Sequence, residues 1–147
     1  MKLPDFENLE DVKKHIEFHE QKYRDGCGKS GYALAFMYAE GNQLKEEIKS
    51  AIGVSDKLAL SYFVRSFSLL EREAEAGDGE SMHLIAMYYQ TGTPPVSPDQ
   101  DLFKHWTDRS AAAGYAVLDD LLAIYGDPKS KHYSLEKAVG LRKLING

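Results

Sequence analysis

A single cysteine, Cys27, stands in the 147 residues, so no disulfide can close within the chain and packing must hold the fold together. Positive charge is in the minority: 18 Lys and Arg are scattered against 23 Asp and Glu, for a net charge of -5. A nucleic-acid reader needs a clustered basic face to meet phosphates, so that class is set aside and no nucleic-acid partner is expected. The mild acidity suits a basic protein partner instead. No apolar run approaches the ~20 residues that cross a bilayer, and no membrane partner is expected. The opening Met1 to Asn8 lacks the apolar stretch of a secretion leader, which makes the cytoplasm the expected location. Alternating runs of Val, Ile and Thr are missing as well, which leaves no reading as strand.

What is present is a pattern written twice. Gly26-Cys27-Gly28-Lys29-Ser30 runs on to Leu34-Ala35, Tyr38 and Gly41, and Gly77-Asp78-Gly79-Glu80-Ser81 runs on to Ile85-Ala86, Tyr89 and Gly92. A worn third copy starts at Gly114, with Leu122-Ala123 at the offsets of Ile85-Ala86. Self-similarity at this period predicts stacked helical hairpins. Gly26 to Gly77 is 77 minus 26, or 51 residues, and Gly77 to Gly114 is 114 minus 77, or 37. The second spacing fits a two-helix repeat. The excess in the first matches a charged, weakly patterned segment over about 42–55, which reads as a loop insertion. With 43% hydrophobic and 28% charged residues, the chain has the composition of one globular domain. Its expected parts are an N-terminal helix over 1–25, a first repeat over 26–76, a second over 77–113 and a degenerate third over 114–147.

Periodicity and capping residues place the helices. The first covers Leu9 to Arg24 behind Asn8 as N-cap. The second runs from Lys29 to Glu40 and ends at Gly41. A long helix over Asp56 to Ala76 follows Ser55, and another over Glu80 to Gln90 ends at Gly92. Pro94-Pro95 forces an irregular loop. Ser97-Pro98-Asp99-Gln100 reads as cap, first turn and capping box of a helix to Ala113. Two more are expected over 116–125 and from Ser134 to Ile145. Ala35, Ala86 and Ala123 fall where hairpin helices would cross, and only a small side chain allows that approach. Ala86→Leu is accordingly expected to destabilise by ~1–3 kcal/mol. Tyr38 and Tyr89 would fill the space beside the contact, and Trp106 would pack across its hairpin.

The middle copy resembles a known repeat. Gly77, Gly79, Ser81, Ile85-Ala86, Tyr89, Gly92, Asp99, Trp106, Ser110-Ala111 and Gly114 are similar to a Sel-one-like repeat of the tetratricopeptide type. The usual Leu-Gly is replaced by Ile85-Ala86, Lys-Ala by Leu102-Phe103, and the aromatic after Trp106 by Thr107. The third copy keeps Glu136-Lys137-Ala138 but lacks the tyrosine and glycine that close its first helix. The resemblance covers residues 26 to 145. It implies an all-α, right-handed α-solenoid of about three antiparallel hairpins plus an N-terminal helix. It also implies a scaffold for other proteins, with Gly26, Leu34, Ala35, Tyr38, Gly41, Gly77, Ile85, Ala86, Tyr89, Gly92, Trp106, Ala111 and Gly114 as the structural set.

Chemistry-bearing groups are sparse. His15 and His19 have metal-clamp spacing, but the first helix reads as an ordinary amphipathic surface. Cys27 reads as a small turn residue, and the Gly-Lys-Ser ending at Ser30 lacks the spacer and strand of a phosphate loop. No catalytic residue, metal or cofactor is expected, and an enzyme is the weakest reading. The surplus is aromatic and acidic: Tyr32, Phe36, Met37, Glu40, Glu46, Glu47, His83, Met87 and Tyr88 are the candidate partner-binding residues. The function expected is non-catalytic binding of another protein. The favoured partner is a bacterial toxin or effector that the chain neutralises as an immunity protein, and a general adaptor in signalling is the alternative. The insertion after Gly41 is the candidate specificity element, with deletion of Gln43 to Ser50 expected to leave stability nearly unchanged.

Overall fold

The structure, a computed structural model, describes residues 3–146. Its regular elements are all helices: α1 Leu9–Arg24, α2 Gly28–Tyr38, α3 Glu46–Ile52, α4 Asp56–Glu75, α5 Gly79–Thr91, α6 Gln100–Ala112, α7 Leu118–Tyr125 and α8 Leu135–Asn146. Among the described residues, no helix is long and apolar enough to cross a membrane. The chain gathers into two compact units, Met1–Arg72 and Glu73–Gly147.

In the first unit, α1 starts as its sequence dictates. The Asn8 side chain accepts the Asp11 N–H at 3.0 Å, and Glu10 and Asp11 sit at the positive end of the helix dipole. Its inner face delivers Val12 and Ile16 to a core shared with Leu3, Leu34, Met37 and Ile48. Helix α2 is buried along most of its length, because it lies against both α1 and α4. Two glycines permit the second contact. A Cβ on Gly28 would stand 2.7 Å from the Leu70 backbone nitrogen, and one on Gly31 would collide with Ser66 Oγ and the Tyr23 ring. Ala35 is fully buried, as a crossing residue must be.

The segment after α2 differs from the expected loop. It forms α3, and Ile48 on that helix is buried in the α1–α2 core with Leu44 and Ile52 packed beside it. Three apolar residues in a charged stretch suffice to anchor a helix of 7 residues, about two turns, and so sparse a pattern gives no clear period. That burial stands against the expectation that residues 43 to 50 can be removed at little cost. Gly41 also differs from its expected role. Helix α2 stops at Tyr38 with Ala39 extended, and Asn42 Nδ2 donates to the Met37 carbonyl at 2.7 Å. With that carbonyl satisfied by a side chain, no left-handed residue is required at the end of α2. The left-handed cap appears instead at Gly53, after α3, with φ of 74°.

In the second unit, Asp78 caps α5 by accepting from the Ser81 N–H at 2.9 Å. Leu84, Ile85, Ala86 and Tyr88 are buried. Helix α6 packs against α5 with Phe103, Thr107 and Ser110 turned inward, and Ser110 Oγ donates to the Gly79 carbonyl at 2.7 Å. Ala86, Phe103, Ile124 and Tyr125 form a second core, with Trp106 half-buried against it. The cap of α6 is Asp99, whose carboxylate accepts the Leu102 N–H at 2.9 Å, rather than Ser97. Pro98 is held outside the helix, directly against Gly92.

The third copy starts later than the sequence pattern suggests. Helix α7 begins only at Leu118, and Ala123 is exposed, so it is not a crossing residue. One hydrogen bond recurs near three helix ends. The Tyr38 carbonyl accepts the Ser55 N–H at 2.8 Å, Tyr89 accepts Asp99 N–H at 2.9 Å, and Tyr125 accepts Ser134 N–H at 2.8 Å. Each bond ties the end of one helix to the residue that precedes a later one. Tyr125 thus holds the place of Tyr89, one position earlier after its glycine, and the buried residue before it is Ile124 where the other copies have Met37 and Tyr88.

Candidate docking cleft

The second unit contains a cleft of about 550 Å³ between the end of α5, the start of α6 and the end of α7. Local sequence explains its walls. Gly92 takes a left-handed conformation, φ 73°, and turns the chain out of α5. The proline-bearing loop then returns to Asp99, whose N–H is tied to the Tyr89 carbonyl. Phe103 and Ile124 supply an apolar floor, and Ala123 lies at the lip. Beyond α7, Asp127 folds the chain back: its side chain accepts the Lys129 N–H at 2.9 Å, and its carbonyl accepts the Ser130 N–H at 2.9 Å. Lys129, Ser130 and His132 thereby reach the far wall.

One clasp holds that wall to α6. Lys131 Nζ donates to Asp101 at 2.9 Å, and His132 Nε2 lies 2.8 Å from the other carboxylate oxygen. The bond from Lys131, then that from His132, holds the Asp101 carboxyl below its usual range. Beneath the clasp, Tyr125 Oη donates to Asp108, and Lys104 Nζ donates to the same carboxylate at 2.9 Å. Burial, then Asp108, pushes the Tyr125 hydroxyl up, and Asp108 raises Lys104. Lys137 Nζ stands 4.3 Å from the centre of the Tyr125 ring. These groups are engaged with one another. The arrangement offers an apolar floor with a polar, mixed-charge rim, which is suited to holding a side chain or short segment.

The candidate partner-binding residues fall in different surroundings. Tyr32, Met37 and Tyr88 are buried and present no surface to a partner in this structure. Tyr32 packs on Phe36 and Phe63, with ring centroids 5.1 and 5.5 Å away, and burial pushes its hydroxyl up to about 12. Phe36 and Met87 are half-buried against the two cores. Glu40 is exposed yet tied down: its N–H donates to Asp56 at 2.8 Å, and its carboxylate accepts the Asp56 N–H at 3.3 Å. Glu46 and Glu47 lie exposed in the first turn of α3, and Glu46 is 3.6 Å from Lys49. His83 Nδ1 is 3.2 Å from Asp120 Oδ2, and the Tyr115 ring lies 5.4 Å from the His83 ring. Of the candidate residues in the first unit, Tyr32 and Phe36 meet ring to ring.

The cleft residues Gln90, Gln100, Lys129, Ser130 and His132 were not singled out from the sequence. The available signal was the pair of chain breaks at Pro94-Pro95 and Asp127-Pro128, which place two irregular loops beside adjacent helix ends. His15 and His19 stack edge to face at 4.5 Å, and His19 Nδ1 is 2.9 Å from Ser30 Oγ. Among the described residues, no group of three or more His, Cys, Asp or Glu is placed to hold a metal ion. No protein-family model, no curated protein and no solved structure matches the chain.

Proposed function

We propose that this chain is a non-catalytic, Sel-one-like helical-repeat module that binds another protein through the cleft at the ends of α5, α6 and α7. In this reading the chain is a right-handed α-solenoid of about three hairpins, α2–α4, α5–α6 and α7–α8, with α1 in front. The tyrosine-carbonyl tie, repeated at Tyr38, Tyr89 and Tyr125, supports the repeat. The cleft itself carries the binding function: its apolar floor of Phe103 and Ile124 stays open while the rim groups are satisfied by one another. An occupant would gain apolar burial without breaking an ion pair. The narrower form of the proposal is an immunity protein that neutralises a toxin or effector in the cytoplasm, and it rests on the acidity of these residues.

The test is co-expression with the product of a neighbouring gene, followed by capture on the wild-type chain and on Ala123→Arg. Ala123 is exposed at the lip, so the larger side chain fills the cleft without entering the core. Capture by the wild type and loss in the variant is the expected result. Equal capture by both would remove the cleft from the interface.

A further inference from the structure

Charge is distributed unevenly along the chain. Residues 129–147 hold five basic groups, Lys129, Lys131, Lys137, Arg142 and Lys143, against one acid, Glu136. The remaining residues hold 18 minus 5, or 13, basic groups and 23 minus 1, or 22, acids. A basic C-terminal segment is therefore attached to an acidic body. Helix α8 also carries apolar residues that nothing covers: Leu135 is 62% exposed and Val139 43%. They lie one turn apart on one face, and Arg142 and Lys143 continue it, with Val139, Lys143 and Asn146 edging an open groove.

The chain carries a matching stripe. On α4, Leu60 is 43% exposed and Val64 41%, again one turn apart, and exposed Glu71 continues that face. Phe18 on α1 is 58% exposed, and Lys22 Nζ stands 5.0 Å from its ring centre. Pairing α8 with another α8 would set Arg142 and Lys143 against like charges, which opposes a symmetric contact.

We propose that α8 of one chain docks alongside α4 of a second copy, in parallel, as a head-to-tail contact. Leu135 and Val139 then meet Leu60 and Val64. Lys143 falls about one turn short of Glu71, roughly 5 Å, a gap its long side chain spans, while Arg142, which donates to the Gly126 carbonyl at 3.3 Å, adds positive charge beside it. The contact uses different surfaces on the two copies, so each end of an assembly keeps one free face and assembly grows with concentration.

Sedimentation equilibrium of the full chain tests this. The mass is expected to rise with concentration above the monomer's 16.5 kDa, and to fall back as salt screens the flanking charges. Val139→Asp and Val64→Asp each alter an exposed position, and circular dichroism would confirm the retained fold. Each variant alone is expected to lose self-association by roughly tenfold or more. Mixed in equal amounts, they should form a dimer of twice the monomer mass, because each keeps the face the other has lost. A wild-type chain that stays monomeric at every concentration would overturn the proposal, as would a mixture no heavier than its components.

Discussion

Helices α2 and α5 begin from the same spaced residues and leave their cores by different routes. Both bury the paired residues, Leu34-Ala35 and Ile85-Ala86, and both offer a tyrosine carbonyl from the last turn to a later N–H. They differ at both ends. Asp78 caps α5 with its carboxylate, while Cys27 makes no side-chain cap bond. Gly92 closes α5 in a left-handed turn, while Asn42 takes over a carbonyl near the end of α2 and Gly41 is left without a conformational task. What recurs is the contact between helices and the backbone tie. What varies is how each local loop satisfies the leftover polar groups, and that depends on the intervening chain, which is α3 in one case and a proline-rich loop in the other.

The largest expected break in this comparison lies in those two intervening segments. Ile48 fills the α1–α2 core from α3, so Ile48→Ala should cost about 2–4 kcal/mol through lost burial and a cavity. Val96, in the matching segment of the second copy, is only half-buried, and Val96→Ala should cost less than ~1 kcal/mol. Urea unfolding of both variants measures the difference. Equal costs would mean that α3 is as dispensable as a loop.

The paired glycines come next. A methyl on Gly28 meets α4 backbone, Leu70 N at 2.7 Å and the Leu69 carbonyl carbon at 3.0 Å, which no rotamer can relieve. A methyl on Gly79 meets Tyr115 Cβ at 3.0 Å and Ala113 Cβ at 3.2 Å, and the short Tyr115–Val117 stretch before α7 can shift a little to admit it. Gly28→Ala should therefore destabilise by ~1–3 kcal/mol and Gly79→Ala by less than ~1 kcal/mol, read from denaturation midpoints. The reverse order would show that the first pair of helices approaches less closely than the second.

These glycines also show what was legible in advance. The helical class, the span of α1 and the burial of Ala35 and Ala86 follow from spacing, because periodicity and side-chain size are properties of the residues themselves. Helix α3 was not legible, since Leu44, Ile48 and Ile52 form one short apolar row in a charged stretch, too brief for its period to stand out. The third copy misled for a different reason. Its tyrosine sits one residue early, so a fixed offset from Gly114 pointed to exposed Ala123 rather than buried Ile124. The cleft was the least legible, because its walls come from segments far apart in sequence and its rim from polar residues with no periodic signature. Tyr32, Met37 and Tyr88 were offered as surface because aromatic and thioether side chains suit core and interface equally.

A smaller contrast separates the glycines that follow the two helices. Gly92 has positive φ, and a Cβ there would also run into Pro98, so Gly92→Ala should cost ~1–2 kcal/mol. Gly41 has neither constraint: an added Cβ meets nothing within 4 Å, and Gly41→Ala should be neutral or slightly stabilising. Thermal melts of the two variants are sufficient to separate them.

The smallest expected effect concerns pH and belongs to the first unit. Burial holds the His15 imidazole below its ordinary 6.5, and His19 is lowered by burial, then by His15 and Lys22. His15 lies edge to face with Phe6 at 5.1 Å, and His19 with Phe18 at 5.2 Å, so both rings sit against aromatic surface that favours the neutral form. When the chain unfolds, each ring returns to a pKa near 6.5. Between the folded and unfolded values, the unfolded chain binds more protons. Stability therefore declines as pH falls through about 6.5 and levels off once the folded rings are also protonated. The rings remain substantially exposed and solvent screens them, so the slope is shallow. Melting temperatures from about pH 7.5 to about pH 5 should fall in the wild type and fall less in His15→Gln/His19→Gln. An identical slope in the two proteins would show that neither ring loses hydration on folding and that Phe6 and Phe18 do not shield them.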